Sequence, residues 1–380
     1  MLPRNMMMKI VTIVGARPQF IKAAPVSRAI KNHNQRNPGA QITEIIVHTG
    51  QHYDANMSQV FFDELEIPEP HYHLGVGSGT HGKMTGAMLE RIEDVLFQEK
   101  PNRVLVYGDT NSTLAGALAA SKLHIPVAHV EAGLRSFNRQ MPEEINRLLT
   151  DHVSSFLFCP TDTAVKNLKK EGITDNVLNV GDVMYDSFLF NKNMADKKST
   201  ILKDLSLSPK GYCLVTVHRQ ENTDNEKRLA GIFEAFSRLA KPDRPFIIPL
   251  HPRTKKILKQ FGAIKNNNPH IHIVKPVSYL DMVMLETHSK MILTDSGGVQ
   301  KEAYFARAPC ITLRDETEWV ELVEKGFNII AGSNPEMICY AYREMIGKTV
   351  ITNPEMYGSG QAGERIAQAL CIKSSTLECD

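Results

Sequence analysis

Short apolar runs alternate along the chain with longer segments in which apolar residues recur every three or four positions. The short runs predict β-strands and the longer segments predict amphipathic helices. In the first half, the predicted strands are Lys9–Val14, Glu44–His48, Arg103–Tyr107, Val127–Val130, Phe156–Cys159 and Val177–Val180. The helices predicted between them are Gln19–Lys31, Met57–Leu65, His81–Gln98, Ser112–Leu123, Glu143–Asp151 and Thr163–Glu171.

The same alternation resumes after Asn191–Lys210, a polar stretch that predicts an interdomain linker. The second-half strands are Cys213–Val217, Phe246–Leu250, Ile271–Val274, Met291–Leu293, Cys310–Leu313 and Asn328–Ile330, and the helices are Glu226–Leu239, Thr254–Phe261, Tyr279–Thr287, Val299–Phe305 and Thr317–Glu324. Alternating strands and helices are typical of parallel sheets covered on both faces. The predicted fold class is therefore α/β, with two facing Rossmann-like domains, residues 1–190 and 191–357, and a ligand cleft between them.

Composition narrows the class of protein. The 380 residues are 42% hydrophobic and 23% charged, as in a folded globular protein. The formal net charge of +2 argues against a nucleic-acid partner, and no apolar stretch is long enough for a membrane span. Six cysteines without a Cys-x-x-Cys pair indicate a reducing compartment, so we expect a cytoplasmic protein. The pairs His71/His73 and His270/His272 lack a third ligand nearby, so no metal site is predicted.

Basic residues follow the first predicted strand. Gly15 permits a tight turn into a helix whose first N–H groups are free, and Arg17 and Lys22 lie in that helix. They are candidates to bind a phosphate or a nucleobase, although an ordinary turn with solvated bases explains them equally well. The glycine patterns of dinucleotide-binding and phosphate-binding loops are absent, which disfavours a nicotinamide enzyme or an ATPase. We therefore predict no cofactor.

Three acidic positions follow successive strands of the first half. Asp109 comes after the third strand and Glu131 after the fourth, and a pair of acids, Glu143 and Glu144, opens the next helix. Any one of them could be structural, because Asp is a common helix N-cap and acids favour the first turn of a helix. Together they can meet at one sheet edge, where clustered carboxylates shift one another's pKa values and supply an acid and a base.

The strand ends of the second half carry residues suited to an anion. Ser296-Gly297-Gly298 opens a helix and offers backbone amides to a diphosphate, and Glu302 lies one turn further on, where it could reach a ribose. The other candidates each follow a predicted strand of this half, and they are His218, Arg219, His251, Arg253 and Arg314.

The motifs, taken in order, resemble those of the non-hydrolysing UDP-N-acetylglucosamine 2-epimerases from about Lys9 to Gly332. They are Gly-Ala-Arg-Pro-Gln-Phe-Ile-Lys, His-Thr-Gly-Gln-His, Tyr-Gly-Asp-Thr, His-Val-Glu-Ala-Gly-Leu-Arg, Pro-Glu-Glu-Ile-Asn-Arg, Val-His-Arg-x-Glu-Asn and Thr-Asp-Ser-Gly-Gly-Val-Gln-Lys-Glu-Ala. The resemblance implies a GT-B-like fold, a homodimer, and a C-terminal helix, Gly358–Leu370 within the segment 358–380, that crosses back to the first domain. It adds Gln51, His52 and Arg135 to the candidate substrate-binding residues.

The resemblance also implies a mechanism, in which UDP is eliminated to leave a 2-acetamidoglucal and is then added back. Asp109, Glu131 and Glu143 match the catalytic acids of the family, and His218 matches a histidine near the diphosphate. Arg17, Ser296, Gly297, Gly298 and Glu302 match its UDP contacts. The expected reaction interconverts UDP-N-acetylglucosamine and UDP-N-acetylmannosamine, for the synthesis of bacterial surface polysaccharide precursors.

Several positions depart from the commonest family pattern. Gln19 stands where Glu is usual, Gln220 replaces Arg, and Arg253 replaces the Asn of His-x-Asn-Pro. The segment 79–85 lacks the Gln that many members carry for a second, activating UDP-sugar. These changes resemble a branch that acts on UDP-2,3-diacetamido-2,3-dideoxyglucuronate, whose carboxylate the Arg253 guanidinium could bind bidentately. The alternatives are therefore that substrate, a GT-B glycosyltransferase, and a nucleotide-sugar binder without catalysis.

Overall fold

The computed structural model describes residues 7–50, 69–250, 254, 256–258 and 268–371. These residues belong to two compact units. The first unit comprises Met1–Ser187 together with Pro354–Asp380, and the second comprises Phe188–Asn353. Each unit is built on one parallel sheet.

The first unit has seven strands in the order β3-β2-β1-β4-β5-β6-β7. The central strands β1, β4 and β5 are almost completely buried because helices cover both faces of the sheet. All pairs are parallel, so the carboxyl ends of β1, β4 and β5 lie at the same edge. The strands are β1 (Met8–Val14), β2 (Ile42–His48), β3 (Tyr72–His73), β4 (Arg103–Tyr107), β5 (Val127–Val130), β6 (Phe156–Cys159) and β7 (Val177–Asn179).

Helices join these strands and begin at the edge where the strands end. Two of them start with proline in the first turn, where the missing N–H is not needed. They are α1 (Arg17–Arg36), α2 (His81–Glu99), α3 (Asn111–Lys122), α4 (Pro142–Val153) and α5 (Asp162–Lys170). After β7, α6 (Val183–Lys198) begins in the first unit and continues into the second.

The second unit has six parallel strands in the order β10-β9-β8-β11-β12-β13. They are β8 (Cys213–Thr216), β9 (Phe246–Pro249), β10 (Ile271–Val274), β11 (Met291–Thr294), β12 (Cys310–Thr312) and β13 (Asn328–Ile330). The described helices of this unit are α7 (Ile201–Asp204), α8 (Gln220–Thr223), α9 (Glu226–Leu239), α10 (Tyr279–His288), α11 (Gly297–Phe305), α12 (Val320–Glu324) and α13 (Pro335–Met345).

The chain then returns to the first unit through α14 (Pro354–Tyr357) and α15 (Ala362–Leu370). Gly363 of α15 packs directly on α1, since a Cβ there would lie 2.7 Å from the Pro25 carbonyl oxygen. At the other end of α15, the buried guanidinium of Arg103 donates to the Leu370 carbonyl oxygen at 2.6 Å. Both ends of the last described helix are therefore fixed to the first unit.

The predicted fold class of α/β units with parallel sheets is confirmed. The main corrections concern helices. The predicted linker 191–210 contains the second half of α6 and all of α7, α13 was not predicted, and the C-terminal helix begins at Ala362 rather than at Gly358. The apolar residues of α6 are concentrated in its first half and do not form a helical stripe, which is why the pattern missed it. None of the described helices is long and apolar enough to cross a membrane. The predicted helix Met57–Leu65 lies outside the described residues.

Candidate active site

The turn between β4 and α3 brings Asp109 to the carboxyl edge of the first sheet. Gly108 has a φ of +65°, and a Cβ there would lie 2.9 Å from Lys22 Nζ and 3.2 Å from Glu131 Oε2. Both the backbone conformation and the close approach therefore require glycine. The Gly108 N–H donates to the Val130 carbonyl oxygen at 3.0 Å, which ties the turn to β5.

Asp109 is held at both its backbone and its carboxylate by α4. Arg147 Nη1 donates to Asp109 Oδ2 at 2.6 Å, and Asn146 Nδ2 donates to the Asp109 carbonyl oxygen at 2.8 Å. Burial raises the pKa of Asp109 above its ordinary value; Arg147 and Lys22 oppose this rise, whereas the nearby carboxylates Glu131 and Glu143 add to it. Asp109 is therefore close enough to the other two predicted acids for their charges to act on it.

Glu131 follows β5 in a left-handed backbone conformation, with a φ of +73°. A non-glycine residue rarely adopts this conformation, and it persists only where surrounding contacts enforce it. Here the N–H groups of Glu131 and Ala132 both donate to the Phe158 carbonyl oxygen, at 3.0 and 3.1 Å. The Glu131 carboxylate is buried and forms an ion pair with Lys22. Lys22, a predicted substrate contact, thus lies against one of the acids.

The two acids that open α4 differ in their surroundings. Glu144 is buried and accepts from the backbone N–H groups of Ser136 and Phe137, at 2.9 and 3.0 Å, and from Arg147 Nε at 3.0 Å. Burial alone would raise the pKa of Glu144, but these hydrogen bonds and the Arg147 charge lower it below its usual range. Glu144 therefore holds the loop before α4, whereas the half-buried Glu143 influences Asp109.

Arg135 does not lie with the acids as a free cation. Its guanidinium is buried and donates to Asp151 Oδ2 at 2.7 Å and to both carboxylate oxygens of Glu171, each at 2.7 Å. The remaining contact of its Nη1 is the Leu134 carbonyl oxygen at 2.7 Å. The family resemblance implies a substrate contact for Arg135, but in the structure Arg135 joins the loop after β5 to α4 and α5.

Gln19 connects the turns that follow β1 and β4. Its Oε1 accepts from the N–H groups of Gly15 and Ala16, at 2.8 and 3.0 Å. Its Nε2 donates to the Tyr107 carbonyl oxygen and to Thr113 Oγ1, each at 3.0 Å. The side chain is buried and all its hydrogen-bonding groups are used, so an amide is the side chain that matches both partners.

In the second unit, Asp295 organises the loop that follows β8. It is fully buried, and its Oδ2 accepts from the N–H groups of His218 and Arg219 and from Asn222 Nδ2, each at 3.1 Å. The His218 ring is exposed, with its Nδ1 3.4 Å from Asp295 Oδ1. Asp295 therefore fixes the positions of the predicted residues His218 and Arg219, although Asp295 itself was not predicted as a site residue.

The start of α11 has the geometry of an anion-binding helix end. Ser296 is the N-cap and accepts from the Val299 N–H at 3.4 Å. A Cβ on Gly297 would overlap Glu318 Oε1, whereas among the described residues a Cβ on Gly298 meets only Ser296 Oγ, at 3.9 Å. The backbone at Gly298 is thus open, and the free amides of a helix start attract a phosphate.

Two more predicted residues are buried in the second unit. Arg314 donates through Nη1 to Glu318 Oε2 at 3.0 Å, and its buried Nε makes no hydrogen bond within the described residues. Glu302 accepts from the Tyr279 hydroxyl at 2.8 Å. Gln51, His52, His251, Arg253 and the Arg17 side chain lie outside the described part of the chain. Within that part, no group of three or more His, Cys, Asp or Glu side chains could hold a metal ion.

Comparison with known proteins identifies the family. A family model described as UDP-N-acetylglucosamine 2-epimerase matches residues 34–371. The chain belongs to this family. It is accordingly an enzyme of the isomerase class, and the resemblance drawn from the motifs is confirmed.

Relatives within the family match almost the whole chain. The UDP-2,3-diacetamido-2,3-dideoxy-D-glucuronate 2-epimerase of Pseudomonas aeruginosa is 53% identical, with 96% of this chain and 99% of the relative covered. The UDP-N-acetylglucosamine 2-epimerase of Methanocaldococcus jannaschii is 49% identical over 96% of this chain and 99% of its own. The crystal structure of the M. jannaschii enzyme with UDP-GlcNAc and UDP matches with a TM-score of 0.85 and 48% identity, over 96% and 99% of the two chains.

Replacement of Gln19 by Glu tests the amide contacts. We expect Gln19→Glu to lower the free energy of unfolding by about 1–3 kcal/mol at pH 8, because a carboxylate cannot donate to the Tyr107 carbonyl oxygen. Only the protonated carboxyl can donate there, so folding raises the pKa of the introduced Glu. The variant therefore approaches wild-type stability below the unfolded-state pKa of about 4.3 and loses stability as the pH rises.

Urea unfolding of both proteins at about pH 4 and about pH 8 measures this effect. Gln41→Glu, at an exposed position, is the matched control and should change stability little at either pH. Equal stability of Gln19→Glu and wild type at pH 8 would contradict the assignment of the amide contacts.

Proposed function

We propose that the protein is a non-hydrolysing epimerase that inverts carbon 2 of a UDP-activated 2-acetamido sugar. The observation that supports this most directly is the acid cluster of the first unit. The charges of Glu131 and Glu143 act on Asp109 there, and Lys22 and Arg147 supply the opposite charge. Carboxylates of this kind are suited to moving a proton to and from carbon.

The proposed reaction is elimination followed by addition. The C2 hydrogen is not acidic, so its loss must accompany departure of UDP. One carboxylate takes the C2 proton, the C1–O bond breaks with its electrons on the β-phosphate oxygen, and a C1=C2 double bond forms. A proton then returns to the opposite face of C2, and the same phosphate oxygen adds to C1. No oxidation or reduction occurs, so the sequence needs no nicotinamide.

We assign UDP binding to the strand ends of the second unit. The amides at Gly297 and Gly298 would hold the diphosphate at the start of α11, and Ser296 fixes that helix end. Arg314 has a buried Nε available for a further hydrogen bond, and His218 is exposed beside the same sheet edge. A firm hold on UDP matters because the diphosphate must leave and return within one turnover.

The proposed substrate is UDP-N-acetylglucosamine, which would be converted to UDP-N-acetylmannosamine for bacterial surface polysaccharide synthesis. The relative from M. jannaschii, 49% identical, carries that name. The same chemistry on UDP-2,3-diacetamido-2,3-dideoxyglucuronate is the second candidate, and the 53% identity to the P. aeruginosa enzyme favours it. A glycosyltransferase is the weaker alternative, because it has no need of three clustered carboxylates.

We also propose the homodimer that the family resemblance implies. Ile145 and Leu149, one helical turn apart on α4, are exposed apolar residues that a partner subunit could cover. Light scattering on purified protein should give twice the mass of the chain, and a monomer at micromolar concentration would contradict this part of the proposal.

Turnover in heavy water tests the reaction itself. Purified enzyme with UDP-N-acetylglucosamine alone, without an acceptor, should form UDP-N-acetylmannosamine that carries deuterium at C2. A parallel reaction with the diacetamido uronate identifies the preferred substrate by its larger kcat/KM. Product without deuterium at C2 would point to oxidation at another carbon, and absence of product from both sugars would reject the proposal.

Asp109→Asn should reduce kcat by roughly 10²–10⁴-fold while UDP still binds, because the variant loses one proton-transferring group. Asp196→Asn, on the exposed face of α6, is the matched control and should keep wild-type activity. Retention of more than about a tenth of the wild-type rate would exclude Asp109 from proton transfer.

Gly298→Ala should weaken UDP binding by about tenfold or more without changing the melting temperature, since the added methyl group meets open space rather than protein. Gly297→Ala provides the contrast, because its methyl group displaces Glu318 from Arg314 and should lower stability as well. Calorimetric titration with UDP and thermal unfolding of both variants separate the two effects. Unchanged affinity in Gly298→Ala would show that the diphosphate binds elsewhere.

A further inference from the structure

His129 lies inside β5, fully buried behind the acid cluster. Its Nδ1 is 2.7 Å from Asp151 Oδ1, and its Nε2 is 2.7 Å from the Gly108 carbonyl oxygen. The ring therefore joins α4, which carries Asp151, to the turn that presents Asp109.

Both partners of the ring act as acceptors. A carbonyl oxygen can only accept, so Nε2 must carry a proton. Asp151 also accepts from Arg135 Nη1 at 2.7 Å and from the Gly133 N–H at 3.1 Å, as an ionised carboxylate does. Nδ1 must then donate as well. A neutral imidazole has only one N–H, so these two hydrogen bonds together require the doubly protonated ring.

The charges around the ring agree with this assignment. Asp151, Glu171 and Arg135 are joined by short ion pairs, and the Cys159 thiol nearby stays neutral because burial, and next the Asp151 charge, raise its pKa. Glu171 is partly exposed and also has His152 Nε2 at 3.5 Å, whereas Asp151 is fully buried between Arg135 and His129. A buried carboxylate needs such partners, because an unpaired buried ion costs several kcal/mol.

We propose that His129 is a doubly protonated positioning residue that fixes the turn carrying Asp109 beside Glu131. The Gly108 peptide is held to β5 at both ends, by its N–H on the Val130 carbonyl oxygen and by its carbonyl oxygen on the His129 ring. That peptide lies against the Lys22–Glu131 ion pair, so its position sets the spacing between the two acids. This role rests on the proposed function, since it matters only if those acids transfer the proton.

Two substitutions separate the ring's contacts. The amide nitrogen of Asn corresponds in position to Nδ1, so His129→Asn keeps the bond to Asp151 and loses the bond to Gly108. The amide nitrogen of Gln corresponds to Nε2, so His129→Gln keeps the bond to Gly108. We expect His129→Asn to lower kcat by about 10- to 100-fold, with KM and UDP affinity unchanged, because misplacement of a catalytic group by about 1 Å has effects of that size. His129→Gln should stay within a few-fold of wild type.

Matched changes at His124, an exposed residue of the same unit, serve as controls for both substitutions. Thermal unfolding and UDP titration show whether each variant is folded. A kcat of His129→Asn equal to or above that of His129→Gln would overturn the positioning role. Absence of turnover by the wild-type protein would reject the proposed function instead.

Nitrogen-15 NMR of the wild-type protein tests the charge state without reference to activity. We expect both ring nitrogens of His129 to carry protons between pH 6 and pH 8, with the signal assigned by its loss in the His129 variants. If those variants do not fold, selective labelling and the exclusion of signals lost in variants of the other histidines provide the assignment. A ring with a single N–H in this range would overturn the proposal.

Discussion

A single buried carboxylate, Asp151, fixes the acid-bearing edge of the first unit. Its side chain is buried, so its negative charge needs hydrogen-bond donors from the protein itself. It accepts from His129 on β5, from the Gly133 N–H and from the Arg135 guanidinium. These donors belong to the strand and the loop that flank Glu131. Removal of one partner from a buried ion pair costs about 3–5 kcal/mol, which makes the placement of that loop a condition of folding.

Helix α4, which carries Asp151, also positions Asp109. Asn146 and Arg147 hold its backbone and its carboxylate, while Glu144, one turn of helix earlier, holds the loop at Ser136. The second unit uses a comparable arrangement at its own sheet edge, where buried Asp295 after β11 fixes the backbone after the neighbouring strand β8. In both units a carboxylate that is itself withdrawn from solvent helps to position candidate site residues.

The sequence predicted the sheets well because a parallel strand buried on both faces must be a short continuous apolar run. It also predicted that acids would gather at one edge, because parallel strands end together. The residue pattern by itself could not separate Glu143 from Glu144, since both are acids in the first turn of α4 and only the structure shows which of them is buried. The sequence also could not show that Arg135 is paired with Asp151 and Glu171 and so differs from an arginine that is available to a ligand. The pairing of residues far apart in the chain decides these cases.

Gln19 shows why a departure from a family motif is best interpreted together with its neighbours. If only this position is compared, the replacement of the usual Glu by Gln indicates the loss of a negative charge. In this chain its amide oxygen accepts from the turn after β1, and its amide nitrogen donates to the Tyr107 carbonyl oxygen at the end of β4. Only an amide or a protonated acid can make that donation. Thr113 Oγ1 shares the Tyr107 carbonyl oxygen and also accepts from Gln19, so the two side chains and the carbonyl satisfy one another. A carboxylate at position 19 would need a different partner set at both turns. The substitution therefore reports on how the turn carrying Asp109 is supported.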